Sequence, residues 1–393
     1  MSTDAVIVDI VRTPSGRGKP GGALSTVHPA DLFAGVLRQL VERNGIDPAE
    51  VDDVIGGCVT QIGEQSTNIT RSALLSAGFP ESVPAVTIDR QCGSSQQAAT
   101  FAAQGVMAGS YDIVIAGGVE SMSRVPILSN AAGKRTAGRM LDERYPDGLV
   151  DQGISAELIV AKWGLSRDDL DSFSALSHAR AAAAAERGDF ESEIVPVETE
   201  NGLVCVDETI RPGTTVEALS GLKPAFRTDE RAERFPDATW QITPGNSSPL
   251  TDGASAALIM SAERAEQLGL RARARFHSFA VTGSDPLLML TGVIPATRRI
   301  LERSGMTLDD IDAYEVNEAF APVPIIWQRE FDADPERLNR RGGAIALGHA
   351  LGSTGTRLLG TLLNTLEATG GRLGLQTMCE GGGMANATII ERL

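Results

Sequence analysis

The chain has 393 residues, of which 42% are hydrophobic and only 4% aromatic, so it can bury a large aliphatic core and form two or more units. Its net charge of −16 argues against non-specific binding to nucleic acid or to an anionic membrane surface, because clustered Lys and Arg drive that binding. The amino-terminal residues lack the basic region of a signal peptide, and no segment approaches the roughly 18 apolar residues of a membrane span. We therefore expect a cytoplasmic protein with neither nucleic acid nor membrane as a partner.

Short Val- and Ile-rich runs alternate with Ala- and Leu-rich runs, which is the pattern of an α/β fold. A helix is predicted over 95–108, and a second over 168–187, opened by a capping box at Ser166 and ended by Gly188. The predicted strands are, in chain order, 5–11, 53–58, 83–88, 113–117, 273–280, 313–316, 374–379 and 386–390.

The two ends of the chain resemble each other. Segment 51–55 is similar to segment 311–315, and nearly the same interval separates Cys92 from His349. This similarity predicts two halves that repeat one strand–helix scheme, with Cys92 and the His349 turn near equivalent helix starts. The segment between the halves is rich in Arg, Asp and Pro, and we interpret it as an insertion that lies over a functional site. The predicted domains are 1–120, completed by about 246–268, then the inserted 121–245, and finally 269–393.

Cys92 lies where the predicted strand 83–88 meets the predicted helix 95–108. Free backbone N–H groups and the positive dipole end at a helix N-terminus favour thiolate over thiol. Most free cysteines are instead small buried hydrophobes, and this segment alone does not decide between the two interpretations. His349 in a glycine-flanked turn and Cys379 before three glycines supply a base and a second thiol, which favours a nucleophilic site. No cysteine belongs to a C-x-x-C pair, so neither a zinc site nor a disulfide framework is predicted.

Six segments resemble the motifs of one family, the thiolases, over essentially the full length of the chain. They are QCGSS at 91–95, GGVESMS at 117–123, GNSS at 245–248 with DGA at 252–254, NEAF at 317–320, GH at 348–349 and CEGGG at 379–383. The resemblance implies an α/β thiolase fold, a duplicated five-layered α/β/α/β/α core with an inserted loop domain. It also implies a homodimer or homotetramer, no metal and no tightly bound cofactor, with acyl-CoA as substrate and coenzyme A as co-substrate.

The resemblance also implies a role for each residue of the catalytic site. Cys92 would be the nucleophile, and His349 would take its proton and then hydrogen-bond the substrate oxygen together with a water held on Asn317. Cys379 would protonate the departing acetyl-CoA enolate, or deprotonate acetyl-CoA in the reverse direction. The backbone N–H groups of Cys92 and Gly381 would form an oxyanion hole.

For coenzyme A, the resemblance implies a second set of residues. Ser248 would hydrogen-bond the pantetheine arm, and Phe226 would form a wall of its tunnel, with Phe320 as a further contact. Arg211 would lie near the nucleotide end and supply the positive charge that a phosphorylated ligand needs in an acidic protein.

The motifs predict a 3-ketoacyl-CoA thiolase acting in fatty-acid or steroid side-chain β-oxidation. Gln152 stands where the family commonly has Met, and an insertion covers about 227–241; both departures resemble thiolases for larger or unusual acyl groups. The nearest alternative is an acetyl-CoA acetyltransferase acting on acetoacetyl-CoA. An alternative of another class is a thiolase-like protein that binds acyl-CoA or lipid without turnover, although such relatives usually lose a catalytic cysteine. A decarboxylating ketosynthase would be expected to have a histidine in place of Asn317.

Overall fold

Strands and helices alternate along the chain, as the sequence pattern predicts. The computed structural model describes residues 4–393, and the first three residues, on which the expectation of no signal peptide partly rests, lie outside it. The strands are β1 (Ala5–Arg12), β2 (Gly16–Arg17), β3 (Asp53–Gly57), β4 (Ala85–Ile88), β5 (Ile113–Ser121), β6 (Val197–Thr199), β7 (Gly202–Val204), β8 (Thr251–Ser261), β9 (Ala274–Gly283), β10 (Ala313–Val316), β11 (Leu373–Glu380) and β12 (Met384–Arg392). The helices are α1 (Pro29–Asn44), α2 (Ile69–Ser76), α3 (Ser94–Met107), α4 (Arg139–Arg144), α5 (Gln152–Trp163), α6 (Arg167–Glu186), α7 (Val216–Ser220), α8 (Asp229–Arg234), α9 (Ala262–Gln267), α10 (Val293–Ser304), α11 (Pro322–Phe331), α12 (Ala344–Leu347) and α13 (Thr354–Thr369).

The large sheet consists of two groups of strands that are joined at one seam. Its strand order is β10-β11-β12-β9-β1-β8-β5-β3-β4. The seam is the antiparallel pairing of β1 with β9, which covers only Val6 with Arg275 and Ile7 with Ala274. Strand β3 is parallel to both β4 and β5, and β10 is parallel to β11. Each group therefore contains parallel pairs of the kind that a crossover helix connects.

Helices form one inner and two outer layers around the two groups of strands. Helices α3 and α13 share a buried core with residues of β1, β8, β10 and β12, so they lie between the groups. Helix α1 and α2 pack on the other face of the first group, and α10 and α11 pack on the other face of the second. This arrangement gives the layer order α/β/α/β/α, and the predicted fold class is confirmed.

Two aspartates mark the internal duplication. The Asp52 carboxylate accepts hydrogen bonds from the backbone N–H groups of Asp112 and Ile113, at 2.6 and 2.9 Å. The Asp312 carboxylate likewise accepts hydrogen bonds from the backbone N–H groups of Arg372 and Leu373, at 2.7 and 2.9 Å. In both halves, the same number of residues separates the aspartate from the backbone groups that it binds. Both carboxylates therefore fix the start of the neighbouring parallel strand.

The duplication relates the positions of Cys92 and His349. Helices α3 and α13 begin at Ser94 and Thr354, and this offset makes Gly352 the counterpart of Cys92. His349 lies three residues earlier, in the turn that follows the short helix α12. Both side chains therefore lie near equivalent helix starts, and their positions in the repeat differ by three residues.

Candidate active site

Cys92 lies in the tight turn that connects β4 to α3. Gln91 has a positive φ of 49°, a left-handed conformation that is uncommon for a residue with a side chain. The Ser94 hydroxyl stabilises the turn by donating to the Gln91 carbonyl at 2.6 Å and accepting from the Arg90 N–H at 2.9 Å. Local hydrogen bonds thus hold Cys92 just before the first turn of the helix.

One side-chain amide and two backbone N–H groups act on the Cys92 sulfur. The side-chain amide of Gln152, the first residue of α5, donates at 3.7 Å, and the backbone N–H groups of Cys92 and Gly381 act to lower the pKa of the sulfur. Nevertheless, burial dominates and raises the pKa of Cys92 to about 12, since the residue is only 1% exposed. The expectation that the helix start favours a thiolate is therefore wrong. Strand β4 and helix α3 position the Cys92 sulfur, but burial keeps the thiol protonated.

His349 is held as a neutral base. Its Nδ1 lies 2.8 Å from the Thr354 hydroxyl, which itself donates to the Ala350 carbonyl at 2.8 Å. Because that hydroxyl hydrogen is already used, the Thr354 oxygen accepts from Nδ1–H, and Nε2 carries the lone pair. Burial and then the charge of Arg357 lower the pKa of His349 to about 3.

Asn317 connects the histidine to the second thiol. Its side-chain amide nitrogen lies 3.3 Å from His349 Nε2, and the same side chain hydrogen-bonds Cys379. Its Oδ1 is buried and has no hydrogen-bond partner among residues 4–393. A small polar molecule bound beside His349 and Cys379 would therefore find a free acceptor.

Cys379 is the penultimate residue of β11 and is fully buried. Burial, followed by the proximity of Cys92 and Glu380, raises the pKa of Cys379 well above its usual range. The turn after it contains Gly382 and Gly383, both with φ of 81°, and a side chain at Gly383 would approach the Ser284 carbonyl oxygen to 2.8 Å. This glycine turn allows the Gly381 N–H to face the Cys92 sulfur.

The residues predicted to contact coenzyme A are only partly brought together. The rings of Phe226 and Phe320 meet edge to face, with centroids 6.0 Å apart, and the Ser248 N–H donates to the carbonyl of Ala319 at 3.0 Å. Phe226 also covers Gly153, the neighbour of Gln152. Arg211 is exposed, and its backbone N–H donates to His178 on α6 at 3.2 Å; these contacts do not connect it to the aromatic pair.

Two contacts of this site were not recognised in the sequence. Gln152 stands where the family commonly has Met, and nothing in the sequence shows that its side chain hydrogen-bonds the Cys92 sulfur. Thr354 belongs to the glycine-rich segment around His349, yet its spacing of five residues carries no signal for a hydrogen bond to the imidazole.

Neither a metal site nor a membrane-spanning helix is found in the described part of the chain. Among residues 4–393, no group of three or more His, Cys, Asp or Glu side chains is arranged to hold a metal ion. Within the same range, no helix is both long and apolar enough to cross a bilayer.

Comparison with known proteins places the chain in a family. Residues 5–263 match the model of the thiolase N-terminal domain, and residues 270–392 match that of the thiolase C-terminal domain. The chain is 49% identical to the steroid 3-ketoacyl-CoA thiolase FadA6 of Mycobacterium tuberculosis, over 100% of this chain and 95% of that protein. It is 43% identical to a 3-ketoacyl-CoA thiolase of Aliivibrio fischeri, over 99% of both.

A solved structure agrees with this result. The acetyl-CoA acetyltransferase of Bacillus anthracis superposes with a TM-score of 0.88 at 37% identity, covering 100% of this chain and 99% of that one. The chain belongs to the thiolase family. It is an acyltransferase, and coenzyme A thioesters are the ligands of that family.

Proposed function

We propose that this protein is a 3-ketoacyl-CoA thiolase, which cleaves its substrate with coenzyme A to acetyl-CoA and a shortened acyl-CoA. The observation that carries the proposal is the meeting of two buried, protonated thiols with a neutral imidazole and two backbone N–H donors. Thiolysis needs a nucleophile, a base, an oxyanion site and a proton donor for an enolate, and this set supplies all four.

In the first half-reaction, Cys92 attacks the 3-keto carbon while His349 Nε2 takes the thiol proton. The N–H groups of Cys92 and Gly381, which face the sulfur, would stabilise the negative oxygen that forms at the attacked carbon. When the C2–C3 bond breaks, the electron pair remains on the acetyl-CoA enolate, and Cys379 protonates C2. The proton held by His349 then restores the Cys379 thiol, with Asn317 and a water on its Oδ1 connecting the two.

In the second half-reaction, the thiol of coenzyme A attacks the acyl group on Cys92. His349 accepts the proton of the incoming thiol and returns it to the departing Cys92 sulfur, so atoms and charges balance. Ser248, Phe226 and Phe320 lie beside the Gln152 end of this site, and their position supports a role as the wall for the pantetheine arm. Arg211 is exposed, so any contact that it makes with the nucleotide end of coenzyme A would lie at the protein surface.

The acyl group that we propose is larger than acetyl. A cleft of about 280 Å³ lies between the start of α5 and helix α8, which belongs to the 227–241 insertion. Asp151, which precedes Gln152, is one of its lining residues. The lining combines four apolar and four charged side chains: Leu149, Val150, Ile154 and Phe235 with Asp151, Glu230, Arg231 and Arg234. Each methylene of a longer acyl chain that becomes buried against apolar side chains would contribute about 0.8 kcal/mol, or roughly a factor of four in binding.

Thiolysis rates over a series of 3-ketoacyl-CoA substrates test this proposal. We expect kcat/KM to rise by at least about tenfold from the four-carbon substrate to one with several more carbons or a ring system, provided the added groups are also buried in the transition state. The Gln152→Met variant should change that series, because Gln152 borders the reacting sulfur. A flat or falling series would favour the acetyl-CoA acetyltransferase alternative, and an absence of turnover would favour the non-catalytic one.

A further inference from the structure

Glu380 lies directly behind the nucleophile turn. It is the last residue of β11, between Cys379 and Gly381, and its side chain is fully buried. A methyl group added to Gly93 would lie 2.1 Å from the Glu380 Oε1 atom. The carboxyl group therefore packs against the backbone that carries Cys92, although the reaction steps above make no use of it.

No hydrogen bond from the surrounding residues stabilises an ionised form of this carboxyl group. Both of its oxygens lack a partner among residues 4–393, and in the same range the Nε atom of Arg90 and the Oδ1 atom of Asn386 are also unpaired. The Asn386 amide instead donates to the Gly93 carbonyl at 3.1 Å. An ionised carboxylate without hydrogen bonds is costly in such a place, so the neutral acid is favoured near pH 7.

Two neighbouring charged groups act on the ionisation of Glu380, and its charge in turn acts on the two thiols. Burial raises the pKa of Glu380 to about 8; Arg90 opposes this shift and Asp89 adds to it. The ionised form would repel a thiolate, since Glu380 raises the pKa of both Cys92 and Cys379.

We propose that Glu380 is a positioning residue that acts through Cys92: as a neutral acid it permits the thiolate to form, and its ionisation in alkaline solution opposes that charge. This inference rests on the proposed role of Cys92 as the nucleophile. It assigns to the second residue of the CEGGG segment an electrostatic role, in addition to filling space.

Alkylation of Cys92 by iodoacetamide tests the inference without requiring turnover. The rate would be followed by peptide mass spectrometry on the native enzyme at several values between about pH 6.5 and 9.5, which span the ionisation of a raised carboxyl. Glu380→Gln should match the wild type within about twofold at the acidic end and react roughly fivefold faster at the alkaline end. A matched control is Glu315→Gln, because burial also raises the pKa of Glu315 to about 8 but Glu315 does not contribute to the Cys92 pKa.

A second variant keeps the inference testable if Glu380→Gln does not fold. Arg90 lowers the pKa of Glu380, so the ionised form of Glu380 should appear at higher pH in the Arg90→Gln variant. The pH at which ionised Glu380 begins to slow the alkylation of Cys92 should therefore be higher in this variant than in the wild type. A Glu380→Gln to wild-type ratio that is constant with pH, or an equal effect in the Glu315→Gln control, would overturn the inference. Alkylation measures the reactivity of the Cys92 thiol and does not depend on turnover. If the Glu380→Gln to wild-type rate ratio changed with pH but acyl-CoA did not acylate the enzyme, the proposed function would be refuted and the electrostatic role of Glu380 would stand.

Discussion

The Thr354→Val variant examines the hydrogen bond that keeps Nε2 of His349 unprotonated. The substitution preserves the size and β-branching of the side chain but removes the oxygen that accepts from Nδ1–H at 2.8 Å. In the buried variant site the Nδ1–H would be left unpaired, which costs about 1–3 kcal/mol. The imidazole would therefore shift to the tautomer with its proton on Nε2, which cannot take the proton of Cys92.

The size of the effect follows from that energy. A penalty of about 1–3 kcal/mol on the active tautomer lowers the ratio of the active to the inactive tautomer by a factor of about 5 to 150. We expect the single-turnover rate of Cys92 acylation to fall by roughly tenfold or more, and nitrogen NMR of the imidazole to show the proton moving from Nδ1 to Nε2.

Thr365→Val is the matched control on the same helix. The Thr365 hydroxyl donates to the carbonyl of Thr361 at 2.7 Å, as the Thr354 hydroxyl donates to Ala350 at 2.8 Å, but Thr365 does not contact His349. Both variants lose the hydroxyl's bond to the carbonyl four residues earlier, and only Thr354→Val should lose acylation rate. Equal acylation rates in the two variants would refute the tautomer argument.

Two further predictions concern the second thiol and the histidines. Cys379→Ala should still acquire an acyl label on Cys92 but should not exchange the α-protons of acetyl-CoA, because only enolate chemistry needs that thiol; normal exchange would move the acid–base role elsewhere. Stability should fall on acidification below about pH 6.5, because burial lowers the pKa of His349 to about 3 and of His178 to about 4, so the unfolded chain binds more protons than the folded one. The loss is at most about 1.4 kcal/mol per pH unit for each histidine, and urea midpoints at neutral and acidic pH measure it; an unchanged pH slope in His349→Asn would contradict the assignment.

Much of the fold was predictable from local patterns. The bounds of β10 agree with the prediction, and the capping box at Ser166 is present at the start of α6. Strand β8 was missed, although all of its residues from Thr251 to Ser261 are buried and it pairs with both β1 and β5. Both of its faces are covered, so its Ala-containing sequence shows no alternation of polar and apolar residues.

The candidate site was predictable in its residue types and less so in its electrostatics. Cys92, His349 and Cys379 stand out because each lies in a glycine-flanked segment. Their protonation states depend on burial, which is set by elements far apart in the chain, and so a local argument about a helix end gave the wrong direction for Cys92. The contact of Gln152 with the sulfur likewise depends on how α5 packs over the nucleophile turn.

Mapping the acyl group by mass spectrometry tests the proposed mechanism most directly. The enzyme would be incubated with a 3-ketoacyl-CoA in the absence of free coenzyme A, digested and sequenced. We predict a single acyl thioester on Cys92, and a Cys92→Ser variant that loses roughly three or more orders of magnitude in thiolysis rate, because it loses the covalent path. Acylation found instead on Cys379, Cys58 or Cys205, or a Cys92→Ser variant with near-normal turnover, would contradict the account.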